Sequence, residues 1–172
     1  GPPVPTVEVK IVNDDGRELA AGKIGEILLK GPNVADGYWR DSDATRETFS
    51  NGWLRTGDMG RLDEEGFLYI VDRKKDVIIR GGENIYSVEI ENVLESHPGV
   101  FQAAVVGEPD KVFGEQVKAY IVPNPGQELT ADEILDLCEE HLADFKVPKY
   151  VEFVRALPQN PAGKVDKRAL RR

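Results

Sequence analysis

Val71-Asp72-Arg73-Lys74-Lys75-Asp76-Val77-Ile78-Ile79-Arg80-Gly81-Gly82-Glu83-Asn84-Ile85-Tyr86-Ser87-Val88-Glu89-Ile90-Glu91 is the stretch on which the organisation of this 172-residue chain turns. Five consecutive charged residues, Asp72 to Asp76, separate two apolar runs that read as strands, Phe67 to Val71 and Val77 to Arg80. Such a run is expected to be solvated, so it marks a boundary. It serves either as a plain linker or as a hinge, because hinges concentrate backbone change in a few element-terminal residues. The expected division is 1–72 and 73–172, with the hinge near 72–76. Beyond the boundary, Gly81-Gly82 supplies the positive φ that a tight turn or a close backbone approach to a ligand requires. Ser87 is the expected cap of a helix over Val88 to Ser96, stopped by His97-Pro98-Gly99.

Upstream, Val7 to Val12 alternates apolar and polar residues, and Gly25 to Lys30 is a second strand closed by Gly31-Pro32. Asp41-Ser42-Asp43 offers capping oxygens to a short helix over Ala44 to Phe49. Trp53 to Asp58 and Phe67 to Val71 are further strands around the turn Asp63-Glu64-Glu65-Gly66. Short strands with so little helix imply a β-rich, barrel-like or sandwich subdomain. Downstream, strands Val100 to Gly107 and Gln116 to Val122 flank a turn expected at Glu108-Pro109-Asp110. A helix opens at Thr130 with Glu133 in capping-box spacing. A strand over Tyr150 to Val154 and a short helix over Asp166 to Arg171 complete an α+β domain of about 100 residues.

Composition narrows the functions. With 31 acidic against 22 basic residues the net charge is −9, the reverse of a protein that tracks a nucleic-acid backbone. No apolar run reaches the roughly 20 residues that span a bilayer. The start, Gly1-Pro2-Pro3, lacks the layout of a secretory signal. A single cysteine, Cys138, excludes an internal disulfide framework and fits a reducing cytoplasm; its apolar-periodic setting makes it a core residue.

Four clusters carry potential chemistry, each with a bland alternative. Thr56-Gly57-Asp58, at the expected end of a strand, presents a carboxylate able to accept from two neighbouring hydroxyls such as a ribose diol; an ordinary Gly-Asp turn uses the same residues. Arg73 offers a planar donor fork suited to a nucleotide's sugar and phosphate, or belongs to a solvated charge run. Arg80-Gly81-Gly82-Glu83 is a ligand-approach loop or a strand-to-helix turn, and lacks the Lys and hydroxyl of a phosphate loop. Leu157-Pro158-Gln159-Asn160-Pro161-Ala162-Gly163-Lys164 holds Lys164 on a stiffened tip, where it could neutralise charge developing on a phosphoryl group or simply be solvated.

Taken in order, these clusters resemble the adenylate-forming superfamily of acyl-CoA synthetases, peptide-synthetase adenylation domains and luciferases. The likeness runs from Gly25-Glu26 and Gly37-Tyr38 through Arg55-Thr56-Gly57-Asp58 and Asp72 to Asp76, then Gly81 to Glu91, and ends at Gly163-Lys164. It implies that Asp58 and Arg73 hold the ribose of ATP and of an acyl-adenylate, and that Lys75 is the hinge. Gly81, Gly82 and Glu83 would line the pantetheine channel of coenzyme A. Lys164 would reach the α-phosphate and carboxylate during adenylation. Ser87 replaces a common proline, Asn160 a frequent threonine, and Gln159 a frequent basic residue.

The implied activity is an ATP-dependent acid–thiol ligase, most simply a fatty-acid–CoA ligase, with ATP, Mg2+ and coenzyme A and a small carboxylic acid as substrate. The family's phosphate loop, acyl pocket and Mg2+-holding glutamate would precede residue 1. The chain therefore reads as an inactive C-terminal portion that packs on a missing N-terminal domain, with a homodimer left open and no metal ligands of its own. Two rivals stand: an adenylation domain that delivers to a carrier protein, and a non-catalytic binding module of the same fold. Retention of Asp58, Arg73 and Lys164 speaks against the second.

Overall fold

Strand β4, Trp53–Leu62, organises the first part of the chain in the computed structural model, which describes residues 1–171. One edge of β4 pairs antiparallel with β2 (Gly25–Lys30), and β2 pairs antiparallel with β1 (Glu8–Val12). Its other partners are the two-residue β3, Phe49–Ser50, and β5, Leu68–Arg73. The result is an open antiparallel sheet in the order β1-β2-β4-β3 with β5 on β4, half of a barrel. Helix α1, Ser42–Thr48, leads into β3, and its N-cap Asp41 accepts from the Ala44 amide at 2.9 Å, as the sequence leads one to expect. The chain divides into two units, Gly1–Lys75 and everything from Asp76 onward. The apolar residues that the first unit buries are Ile11, Val12, Ile27 and Leu28.

The second unit is built on a long hairpin, β8 (Val100–Asp110) with β9 (Gly114–Pro123). Along its other edge β9 meets a parallel strand β10, Tyr150–Phe153, and the short hairpin β6–β7, Ile78–Arg80 with Glu83–Ile85. Period-two alternation gives this sheet two buried faces. Ala103, Val105, Val117, Ala119 and Ile121 pack with Ile90 and Leu94 of α2 (Ser87–Glu95) and Ile134 and Cys138 of α3 (Ala131–His141). Ala104, Val106, Tyr120 and Val122 pack with Leu157 and with Leu170 of α4 (Lys167–Leu170). The capping box of Thr130 and Glu133 forms as its spacing indicates. Cys138 is fully buried, and burial pushes its thiol up to about 11, so it is an inert core residue.

The class is α+β, as read from sequence, but several local readings change. β4 runs on past Asp58 to Leu62, so the carboxylate sits within a strand and not at its tip. The β8–β9 turn lies at 111–113, after Asp110, whose carboxylate accepts from the Val112 and Phe113 amides at 2.9 Å each. Glu108 and Pro109 stay in the strand, opposite Gln116 and Glu115. Gly81-Gly82 makes a two-residue hairpin turn, with φ +59° and +89°, followed by a strand the sequence reading omitted. Ser87 is not the cap of α2: Tyr86 is, without capping the helix through its side chain, and Ser87 is buried inside the first turn. Nor is the whole charge run solvated, since Asp72 and Asp76 are buried. No helix among the described residues is long and apolar enough to cross a membrane.

Candidate functional site

Asp58 and Arg73 face each other across the β4–β5 ladder, and the Arg73 Nε lies 2.8 Å from the Asp58 Oδ1. The local sequence explains the placement. Thr56 anchors the turn of the backbone by donating to the Ile27 carbonyl at 2.8 Å while its hydroxyl oxygen accepts from the Asp58 amide at 3.0 Å. A register shift between Met59 and Gly60 then lets the two strands continue around the pair. Asp58 keeps a second carboxylate oxygen, and Arg73 is more than half exposed, so the pair can still receive a ligand's hydroxyls.

Behind this pair lies a charge network that sequence reading missed. Glu26, buried on β2, receives Arg55 at 2.8 Å and Lys74 at 3.1 Å, and Lys74 also reaches Asp14 at 2.9 Å. Burial pushes the Glu26 carboxyl up, but the hydrogen bonds from Arg55 and Lys74 outweigh it, and the net shift is downward. Lys74 is held above its ordinary value, first by its hydrogen bond to Asp14. A charged residue inside an otherwise apolar strand, as in Gly25-Glu26-Ile27-Leu28, is the signal that could have revealed it.

Lys75 occupies the middle of the 3-10 turn Lys74–Asp76 and is exposed. Its neighbours are committed on either side: Lys74 to Asp14 and Glu26 of the first unit, Asp76 to Arg171 of the second at 3.8 Å. The boundary between the units falls at Lys75.

Gly81, Gly82 and Glu83 form the exposed tip of the β6–β7 hairpin. The Gly81 amide donates to the Phe113 carbonyl at 2.8 Å, and the Arg80 guanidinium lies 4.8 Å from the Phe113 ring centroid. Arg80 also donates to Gln116 at 2.8 Å, so the base of the turn is fixed while its glycines stay open.

Lys164 lies on a separate loop of the second unit. It is exposed, and its ammonium has no hydrogen-bond or ion-pair partner among the described residues. Below the loop, α4 is fastened to α2: Lys167 donates to Ser87 Oγ at 2.7 Å and pairs with Glu91 at 2.7 Å, and Glu91 accepts from the Val105 amide at 2.7 Å. The structure thus joins Asp58 with Arg73 in the first unit. Gly81–Glu83 and Lys164 belong to two loops of the second. A cavity of about 610 Å3 in the first unit, lined by Lys30, Asp36, Thr45, Arg46 and Phe49 among others, involves none of these residues.

Residues 1–39 match the family described as AMP-binding enzyme, and residues 89–164 match the AMP-binding enzyme C-terminal domain. The chain belongs to the AMP-binding enzyme family. The chain is 52% identical over 160 residues to a 2-succinylbenzoate–CoA ligase of Bacillus cereus, covering 93% of the chain and 33% of that protein. It is 48% identical over 171 residues to a long-chain-fatty-acid–CoA ligase of Salmonella typhimurium, covering 99% of the chain and 30% of that protein. The o-succinylbenzoate CoA synthetase of Bacillus subtilis, solved with its acyl-adenylate intermediate, superposes with TM-score 0.93 at 44% identity, over 99% of the chain and 34% of that structure. The chain therefore spans about a third of the length of these relatives.

Proposed function

We propose that this chain is the C-terminal portion of an ATP-dependent acid–thiol ligase that forms an acyl-adenylate and then an acyl-CoA. The observation that carries this reading is the Asp58–Arg73 pair, a carboxylate and a planar cation 2.8 Å apart on adjacent strands, both partly exposed. In the first half-reaction a carboxylate attacks the α-phosphate of ATP and pyrophosphate leaves. Asp58 accepts from the ribose hydroxyls, Arg73 donates to the same sugar, and Lys164 offsets charge growing on the α-phosphate oxygens. In the second, the CoA thiolate attacks the activated carbonyl and AMP leaves, with Gly81, Gly82 and Glu83 lining the passage for pantetheine.

A turn about Lys75 exchanges Lys164 for the Gly81–Glu83 hairpin, so that one site serves both steps. The anchoring of Lys74 and Asp76 to different units supports that assignment, since it leaves Lys75 as the place for backbone change. Mg2+ is the expected companion of ATP in this chemistry. The glutamate that would help hold it is assigned to the portion of the enzyme outside this chain, and no step here runs through the metal. That portion also supplies the acyl pocket and packs on the β-rich unit. Relatives at nearly equal identity act on long-chain fatty acids and on 2-succinylbenzoate. A fatty acid is the working substrate and a cytoplasmic setting the working location.

The test assays the two half-reactions separately in the full-length enzyme that contains this chain. Lys164→Ala is expected to abolish acyl-adenylate formation while a supplied acyl-adenylate is still converted to acyl-CoA. Asp58→Ala is expected to weaken ATP binding by about 1 to 3 kcal/mol, the scale of hydrogen bonds to a charged group. Unchanged ATP affinity in calorimetry, together with an equal loss of both half-reactions on Lys164→Ala, would sink the reading.

A further inference from the structure

The geometry points to Asn160 as the positioning residue of Lys164, a role that rests on the adenylation reading of that lysine. Asn160 stands at the start of a short closed loop. Its amide donates to the Lys164 carbonyl at 2.8 Å, and its own carbonyl accepts from the Gly163 amide at 2.9 Å. The side chain closes the loop a second time. Its Oδ1 accepts from the Ala162 amide at 2.9 Å and from the Lys164 amide at 3.1 Å. Four hydrogen bonds thus converge on one half-buried residue, and two of them end on the backbone of Lys164 itself.

The rest of the loop shows why this is needed. Pro161 stiffens one limb, and Gly163 turns at φ +76°, a conformation open to glycine and strained for most side chains. Below it, Gln159 bridges to Val165, and the Asp166 amide donates to the Pro158 carbonyl at 2.8 Å, so the stem is already tied. What the stem leaves undetermined is the direction in which the tip projects its lysine. Only the Asn160 side chain binds the tip's two inward amides among the described residues. Without that acceptor both amides turn to water, the loop samples several shapes, and the Lys164 ammonium is spread over a volume larger than one phosphate oxygen. A displacement of about 1 Å at a group that must meet a transition state lowers a rate by up to about 100-fold.

Any short side chain with an oxygen acceptor near this position can serve, so threonine is expected to substitute for Asn160 and alanine is not. The experiment compares Asn160→Ala, Asn160→Thr and Lys164→Ala in the full-length enzyme, with pyrophosphate release reporting adenylation and acyl-CoA formation from supplied acyl-adenylate reporting the second step. Expected for Asn160→Ala is a 10- to 100-fold fall in kcat of adenylation, KM for ATP changed by less than 3-fold, and the second step unchanged. Asn160→Thr should recover most of the loss. Adenylation by Asn160→Ala at wild-type rate, while Lys164→Ala is inactive, overturns the positioning role and leaves the adenylation reading intact. An equal fall of both half-reactions, or no recovery with threonine, overturns it too, since either marks a general effect on the fold. Normal adenylation by Lys164→Ala removes the reading on which the role depends.

Discussion

The two units stand in contrast in how they hold together. Among the described residues the second unit buries eighteen apolar side chains on the two faces of its sheet, whereas the first buries four. The first unit leans on ladder hydrogen bonds and on the Glu26 network, and it leaves Tyr38, Trp39, Tyr69 and Ile70 exposed. Hydrophobic burial is the main favourable term in folding, and a sheet with one thinly covered face has little of it. The lesson is that the candidate ribose pair rides on the unit with the thinner core, while Lys164 and the Gly81-Gly82 hairpin ride on the one with the fuller core.

The largest effect expected from this contrast appears when the units are separated. Residues 76–172 alone should fold cooperatively, with dispersed amide resonances and a sigmoidal thermal transition. Residues 1–75 alone should not. A cooperative transition from the 1–75 piece would show that its ladders and ion pairs suffice and would break the comparison.

Much of this was legible from sequence, and the rest was not for identifiable reasons. Strands β1, β2, β8 and β9 announce themselves by alternation or by apolar runs, and α3 by its capping box, because those signals are local. Ser87 looks like a helix cap because serine is a good one, yet its partner is Lys167, 80 residues later. Asp76 reads as solvated because four of its neighbours are charged, but Arg171 lies near it in space. Two glycines at positive φ satisfy a strand-to-helix turn and a hairpin turn alike, which is why β7 went unread. For the candidate site, Asp58 and Arg73 were each legible as chemistry, but their pairing depends on the β4–β5 register, including its shift at Gly60. Asn160 carried a signal, an Asx residue opening a Pro-Gly loop.

A middle-sized effect compares one buried carboxylate in each unit. Glu91 and Lys167 are both some 85% buried, so Lys167→Met removes one half of an ion pair in the interior of the second unit. Breaking such a pair costs about 3 to 5 kcal/mol. Glu91→Gln added to Lys167→Met should return most of that, because no buried charge is then stranded. In the first unit, Glu26→Gln frees Arg55 and Lys74, which are a third or more exposed and can turn to water. The expected cost there is about 1 to 2 kcal/mol, on the scale of hydrogen bonds to charged groups. Urea unfolding of the full-length variants measures both. A larger loss from Glu26→Gln than from Lys167→Met would reverse the ranking of the two units' electrostatic anchors.

The smallest effect is read in acid and separates the units by pH. Asp110, at the β8–β9 turn, is held down to about 2 from 3.8, first by the Phe113 amide, then by the Val112 amide, with Lys149 assisting. A carboxylate whose folded value lies below its unfolded value adds stability that is fully present above the unfolded value and is lost as pH falls through the folded one. The contribution of Asp110 should therefore be constant above about pH 5, decline below about pH 4, and be lost below about pH 2. Asp110→Asn keeps one acceptor oxygen but cannot titrate. Plotted against pH, the stability difference between wild type and Asp110→Asn in the 76–172 piece should be flat at neutral pH and shrink steadily between 4 and 2. Glu26, also lowered, gives a decline of the same sign in the full-length enzyme, and Glu26→Gln should remove it there while leaving the decline due to Asp110 in place. A difference that grows as the solution is acidified would mean that the Asp110 carboxyl bonds better when protonated. The turn would then be held by something other than the charge that its two amides now share.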